Sequence, residues 1–408
     1  MPQLNLHQVI IALTEALDFV GIDELHHGKR VAIMAEAIAR KLGWDEAERS
    51  LMLQAGMLHD CGVSQTREHK HLTDSLEWEG SVAHCERGAS YLAHCPPLAH
   101  FAPLIRWHHT RWEHLPAELP ESLRLQTNLI FLADRIDVLQ APFILGEAAA
   151  QGSILWESPG IIARVHGLSG SLFAPVLVEA FAEVAKTEAF WLAMDPRYFI
   201  EDLSQMTGGN TAVVDMPALL SIARLFSHVV DAKSAYTQDH SQRVACIARF
   251  LGAQHGLDDD TLDMLEAAGL LHDLGKLRIP DEIIDKPGPL SPAERALITR
   301  HAYDSYRILN RVFAGTPIPY WAGSHHENLL GTGYPFHRQS GKLDLEARII
   351  AVADIFQALS QTRPYRARLP ACEVLAHLRH LVAEQRIDSE VVELLAANLD
   401  TCYTLATA

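Results

Sequence analysis

The feature that most constrains this chain is an internal repeat. Residues 55–60 read AGMLHD and residues 268–273 read AGLLHD. Upstream of each lies a second match, HGKRVA at 27–32 and HSQRVA at 240–245. The interval from His27 to His59 is 32 positions, and so is that from His240 to His272. Downstream, His84 opens HCERGASYL and His301 opens HAYDSYRIL; each stands 24 positions before a His-His pair, His108-His109 or His325-His326. Asp134 in FLADRIDVL and Asp354 in AVADIFQAL complete the series. One match is within reach of chance, but the ordered set with two identical gaps is not. Two tandem domains follow, 1–204 and 218–408, joined by a linker over 205–217 where Gly-Gly-Asn and a Pro interrupt the helical pattern.

Apolar residues recur at helical spacing in LSIARLFSHVVDA, RVACIARFLGAQHG, TLDMLEAAGLLHDLG and ACEVLAHLRHLVAEQ. Ser291-Pro292-Ala293-Glu294 reads as a helix start, with Ser as cap, Pro in the first turn and Glu three on. No segment alternates as a strand does. The fold class is therefore all-α, with ligands carried to one centre from several helices in each domain.

Composition narrows the chemistry. A formal charge of −17 excludes a broad surface for polymeric nucleic acid, which needs many cations against phosphates. No apolar run is long enough to span a bilayer, and the N-terminus lacks a signal-peptide pattern, so the expected location is cytoplasmic. The six cysteines form no CxxC pair, which argues against thiolate zinc sites and thioredoxin chemistry. Histidine, with 23 copies, is the abundant metal-ligating residue.

His240, His272, Asp273, His301, His325, His326 and Asp354 offer five imidazoles and two carboxylates, more than one tetrahedral zinc takes. A carboxylate beside a His suits a bridge between two ions. The nitrogen and oxygen donors suit Fe, Mn, Co, Ni or Zn alike. Two ions so held polarise a phosphoryl oxygen and supply hydroxide for in-line attack, which points to phosphoester hydrolysis.

With HDLGK at 272–276, HHENLLGTGYP at 325–335 and VADIFQALSQTRPYR at 352–366, the C-terminal half resembles the HD-GYP subgroup of the HD superfamily of metal-dependent phosphohydrolases. The resemblance implies an all-helical phosphodiesterase that hydrolyses a cyclic dinucleotide, with iron or manganese as the usual metal. It implies that the seven residues above are the metal ligands, with Asp273 bridging, and that Lys276 contacts the scissile phosphate and helps protonate the leaving oxygen. It places Gly333, Tyr334 and Pro335 in the substrate wall, and it brings Arg363 and Arg366 to substrate phosphate or guanine. Three positions depart from the family: Leu330 and Gln357 stand where Asp is usual, and Tyr236 stands where some members carry a Glu for a third metal. Two metals are therefore expected, and Leu330 and Gln357 bear on substrate preference.

The N-terminal half resembles a plain HD domain. His27, His59, Asp60, His84, His108, His109 and Asp134 match the full ligand set, and Asp23 sits where a third-metal carboxylate could lie. Val63 replaces the lysine and no Gly-Tyr-Pro follows His109. Two readings stay open: a metal site acting on a different phosphoester, such as the 5′-phosphate of a linear dinucleotide product, or a structural or regulatory metal domain. Cys61 and Cys85, each beside a ligand, are small buried side chains, soft extra ligands or redox-sensitive thiols.

Cyclic di-GMP and 3′3′-cyclic GMP–AMP are both candidate substrates. The competing readings are a cyclic-dinucleotide receptor or scaffold without turnover, with a signalling protein as partner, and an HD-type di-iron oxygenase. A homodimer is a further option that the sequence leaves open.

Overall fold

In the computed structural model, helix formation follows the apolar spacing nearly throughout. The structure describes residues 4–20, 26–74, 76–144, 151–196, 198–199, 203, 213–234, 239–362 and 367–408. Among these, strand is confined to two dipeptides, Leu4–Asn5 and Val213–Val214. The chain divides into two compact units, one of Asn5–Val213 and one of Val214–Ala408 together with Leu4. No helix of the described residues is long and apolar enough to cross a membrane.

Each unit is built on the same three-helix centre. In the first, helix His27–Lys41 packs on Glu46–Leu58 and on Glu121–Ile144; in the second, His240–Gln254 packs on Asp259–Leu271 and on Leu345–Ser360. Val31, Met34 and Ile38 of the first, and Val244, Ile247 and Leu251 of the second, are fully buried. Each such side chain removed from water contributes roughly 1.5–3 kcal/mol. Asp45 and Asp258 cap the second helix of each trio through the backbone N–H three residues on. Ser291 and Glu294 form a reciprocal capping box at the start of Pro292–Val312.

Part of the expected linker is helix. Met216–Asp231 begins within 205–217, with Asp215 accepting from the Ala218 N–H. Pro217 does not interrupt it, because proline in the first turn has no N–H to leave unpaired. Residues 204–212 lie outside the described residues.

The glycine three positions after each HD histidine is fixed by close approach. A Cβ at Gly62 would lie 2.0 Å from the His84 carbonyl oxygen, and one at Gly275 would lie 2.2 Å from that of His301. The turn after the HD pair thus lies directly against the helix that carries the next ligand. Gly275→Ala is expected to destabilise the C-terminal unit by about 3 kcal/mol and to displace His301, since backbone must move to admit the methyl group. Denaturant melts of the variant, read beside its hydrolytic activity, check this.

Candidate metal centres

In both units several of the ligands arrive at helix ends, and the way each of those helices stops fixes its histidine. His272 follows Asp259–Leu271, and its Nδ1 lies 2.8 Å from the Gly269 carbonyl oxygen. A ring nitrogen facing a carbonyl must donate, so Nδ1 carries the proton and Nε2 presents its lone pair. His59 does the same at 2.7 Å from Gly56, His108 at 2.6 Å from Ile105, and His325 at 2.6 Å from Ala322. His301, within its helix, donates to Ile298 at 2.5 Å.

These Nε2 atoms converge on one carboxylate in each unit. Asp273 Oδ1 lies 3.3 Å from His301 Nε2 and 3.7 Å from His325 Nε2, while Oδ2 lies 3.5 Å from His240 Nε2 and 3.3 Å from His272 Nε2. Asp354 Oδ1 is 3.3 Å from His240 Nε2, and His326 stands with His301 and His325. The N-terminal unit repeats this. Asp60 Oδ1 lies 3.6 Å from His84 and 3.9 Å from His108, and Oδ2 lies 3.4 Å from His59 and 3.8 Å from His27. Asp134 lies 3.5 Å from both His27 and His109. All seven sequence-predicted residues meet in each unit, and each central carboxylate straddles two groups of donors.

The donors fit divalent metal. Nε2 of His59, His240 and His272, and Oδ1 of Asp60 and Asp273, are buried without a hydrogen-bond partner in the protein. Orphaned buried donors and acceptors are costly, and a cation shared among them removes the cost. Chelation is accordingly expected to lower the melting temperature. Readdition of metal at about 100 times its Kd restores about 2.7 kcal/mol per site. Calorimetry of chelated and reloaded protein measures this.

The surroundings of the two centres differ. Burial alone would raise the Asp273 carboxyl, yet His272 and Lys276 hold it well below the usual range. The Lys276 ammonium bonds to Asp273 Oδ2. In the N-terminal unit the buried Val63 takes that lysine's place. The cation there is Arg135, which holds the other carboxylate, Asp134, through two nitrogens and also donates to the Leu72 carbonyl. The residue behind the first histidine differs too. His27 Nδ1 donates to Asp137 at 2.7 Å, and Arg30 Nε bonds the same carboxylate at 2.7 Å. His240 Nδ1 donates instead to Gln357 Oε1 at 2.5 Å, and Gln357 Nε2 faces the Ala406 carbonyl at 3.4 Å.

Gln357 is fully buried behind His240 and does not line the cavity described next. Its direct contact is with His240, the ligand it orients. Leu330, the other departure, is exposed and also lies away from the cavity.

A cavity of about 500 Å³ opens onto the C-terminal centre, lined by Lys276, Tyr334, Lys233 and Ser234 with the ligands His240, Asp273, His301, His326 and Asp354. Of the Gly-Tyr-Pro residues, Tyr334 lines this cavity, its ring centroid 4.7 Å from that of His326. Gly333 shapes the loop instead. A Cβ there would meet the Glu327 Cα at 2.5 Å. Pro335, expected in the wall, is likewise not among the lining residues. Arg363, Arg366, Asp23 and Tyr236 lie outside the described residues.

Several residues escaped the sequence reading. Lys233, 1% exposed, reaches the cavity while bonded to Asp281 at 3.1 Å. Glu327 and Asn328 fold the loop: Glu327 accepts from the Phe336 and Arg338 N–H groups, and Asn328 from those of Leu330 and Thr332. Asp18 and Asp231 hold the first ligand helix of each unit, accepting from the backbone N–H of Gly28 at 3.2 Å and Ser241 at 3.0 Å. Both stand ten positions before the residue they hold, and that repeated interval was the available signal. The two uncertain cysteines separate as well. Cys61 Sγ turns away to the Gly88 carbonyl at 3.8 Å, while Cys85 Sγ lies 3.7 Å from His84 Nε2 and 4.0 Å from His108 Nε2.

Comparison with known proteins agrees with this duplicated architecture. Residues 25–141 match one HD domain model and residues 224–391 match another. A 3′3′-cGAMP-specific phosphodiesterase 1 of Vibrio cholerae is 38% identical over 410 residues, covering 99% of this chain and 94% of the relative. The chain belongs to the HD superfamily. It is a tandem HD protein of the HD-GYP type. A solved structure of a cyclic GMP-AMP-specific phosphodiesterase of V. cholerae aligns with a TM-score of 0.66 at 25% identity, over 98% of each chain. A cyclic di-GMP phosphodiesterase of Pseudomonas aeruginosa is 36% identical over 163 residues, 40% of this chain and 38% of that one. The HD assignment and the His/Asp clusters together point to divalent metal in this chain.

Proposed function

We propose that the C-terminal HD domain is a metal-dependent phosphodiesterase that opens 3′3′-cyclic GMP–AMP to a linear dinucleotide. The observation that carries this is the near full-length likeness to a 3′3′-cGAMP-specific phosphodiesterase, which spans both HD domains. His240, His272, Asp273, His301, His325, His326 and Asp354 would hold divalent metal, iron or manganese. Bound metal supplies polarisation of the phosphoryl oxygens and an activated water.

The chain's own residues do the rest. Lys276, held by Asp273 at the cavity edge, donates a proton to the departing 3′-oxygen as the P–O bond breaks. Tyr334 offers a flat wall to a base. Lys233 gives the cavity a second ammonium group, and the substrate carries two phosphates.

For the N-terminal domain we propose hydrolysis of the terminal 5′-phosphate of that linear product, by His27, His59, Asp60, His84, His108, His109 and Asp134. Its complete donor set supports a working metal site. The loss of the lysine beside the bridging carboxylate sets its chemistry apart from the first step.

The test is chromatography of products from cyclic di-GMP and 3′3′-cyclic GMP–AMP, incubated separately with anaerobically metallated protein. Preferred opening of the mixed substrate, abolished by His272→Ala with Asp273→Ala, is expected. Binding of either nucleotide without turnover would replace the enzyme by a receptor, and oxygen consumption would replace it by an oxygenase. Unchanged release of inorganic phosphate from the linear product after His59→Ala with Asp60→Ala, in protein that keeps its helical spectrum, would remove the second activity.

A further inference from the structure

The repeat contains a chemical asymmetry at its centre. The residue after His84 is Cys85, and the residue after the matching His301 is Ala302. Cys85 is buried, with its Sγ 3.7 Å from His84 Nε2 and 4.0 Å from His108 Nε2. The two Nε2 atoms lie 3.2 Å apart. His108 donates its Nδ1 proton to the Ile105 carbonyl, so its Nε2 presents a lone pair to both neighbours. Asp60 Oδ1, buried and without a hydrogen-bond partner, lies 3.6 Å from His84 Nε2.

These spacings can be compared with one tetrahedral ion. Nitrogens at about 2.05 Å and a thiolate at about 2.3 Å place sulfur about 3.6 Å from nitrogen and the two nitrogens about 3.3 Å apart. The Cys85–His84 and His84–His108 separations of 3.7 and 3.2 Å match, and the Cys85–His108 separation of 4.0 Å is longer.

We propose that Cys85 is a further, thiolate ligand to the ion held by Asp60, His84, His108 and His109. The thiol proton passes to solvent as the sulfur–metal bond forms, and no oxidation state changes. The N-terminal centre then offers nitrogen, oxygen and sulfur, and selects a thiophilic ion of the zinc type. The C-terminal centre offers nitrogen and oxygen alone. One chain thereby draws two different metals from one pool. This rests on the reading of the N-terminal cluster as a metal site.

Cobalt(II) distinguishes the two readings. The full chain would carry Cys246→Ser and Cys372→Ser to remove its two exposed thiols, and would be loaded anaerobically without added thiol. A near-ultraviolet sulfur-to-cobalt charge-transfer band is expected. It should persist when Asp273→Asn weakens the C-terminal centre. It should vanish in Cys85→Ser and in Cys85→Ala, while visible cobalt absorption and the helical spectrum remain. Cobalt uptake by the Asp273→Asn protein with no such band, or a band that survives both Cys85 substitutions, overturns the thiolate ligand and leaves the metal site standing. Failure of the Asp273→Asn protein to take up cobalt removes both.

Discussion

Asp273→Asn is expected to lower cyclic-dinucleotide hydrolysis by a factor on the order of 10³ or more, with loss of metal from the C-terminal centre and retention in the N-terminal one. Removing a single preorganised electrostatic contact to a transition state costs on the order of 10²–10³ in rate. Asp273 is more than one contact, since its two oxygens face four imidazoles. The amide keeps the shape and removes the charge, and it puts an NH₂ group where a second oxygen faced lone pairs. Metal analysis of the variant beside its rate checks this. Full activity with full metal content would exclude the shared-carboxylate role. The matching Asp60→Asn should spare the cyclic substrate and empty the other centre.

Lys276→Met should behave differently. Metal content and KM are expected to stay near those of the parent, while kcat falls about 10²–10⁴-fold, the usual worth of a positioned general acid. The diagnostic is the leaving group. A nitrophenyl phosphodiester departs as a stable anion that needs no proton, so on that substrate the loss should shrink to roughly tenfold or less. An equal loss on both substrates would make Lys276 a charge partner of Asp273 rather than a proton donor. The lysine is partly exposed at the cavity, and methionine preserves its length, so a folding failure is not expected.

The fourteen clustered residues were legible in the sequence because the repeat preserves intervals, and regular helices carry fixed intervals into fixed positions. What each ligand leans on was less legible. Gln357 sits three positions after Asp354, as Asp137 does after Asp134, but only the packed helices show that both lie behind a histidine. Sequence likewise left Cys61 and Cys85 equivalent, each next to a ligand. Their difference lies in orientation: Cys61 is in the turn after the HD pair and points to Gly88, while Cys85 is on a helix face that looks inward. The acidic residues Asp18 and Asp231 were missed because they hold the helix starts through backbone N–H groups, with the Lys29 and Ser241 side chains as further partners, and only the shared ten-residue interval marks them.

The histidines that end helices carry a consequence for how the centres fill. His59, His108, His272 and His325 each hand the Nδ1 proton to a carbonyl of their own last helical turn. The tautomer that exposes Nε2 is therefore chosen by each helix on its own, before any ion arrives. Small zinc domains must fold around their metal, and their binding waits on that ordering. At each centre metal should enter as a ligand meets a ready pocket, in a phase that is first order in ion. The chain should also survive an interval without metal, losing stability and activity but keeping its architecture for the next ion.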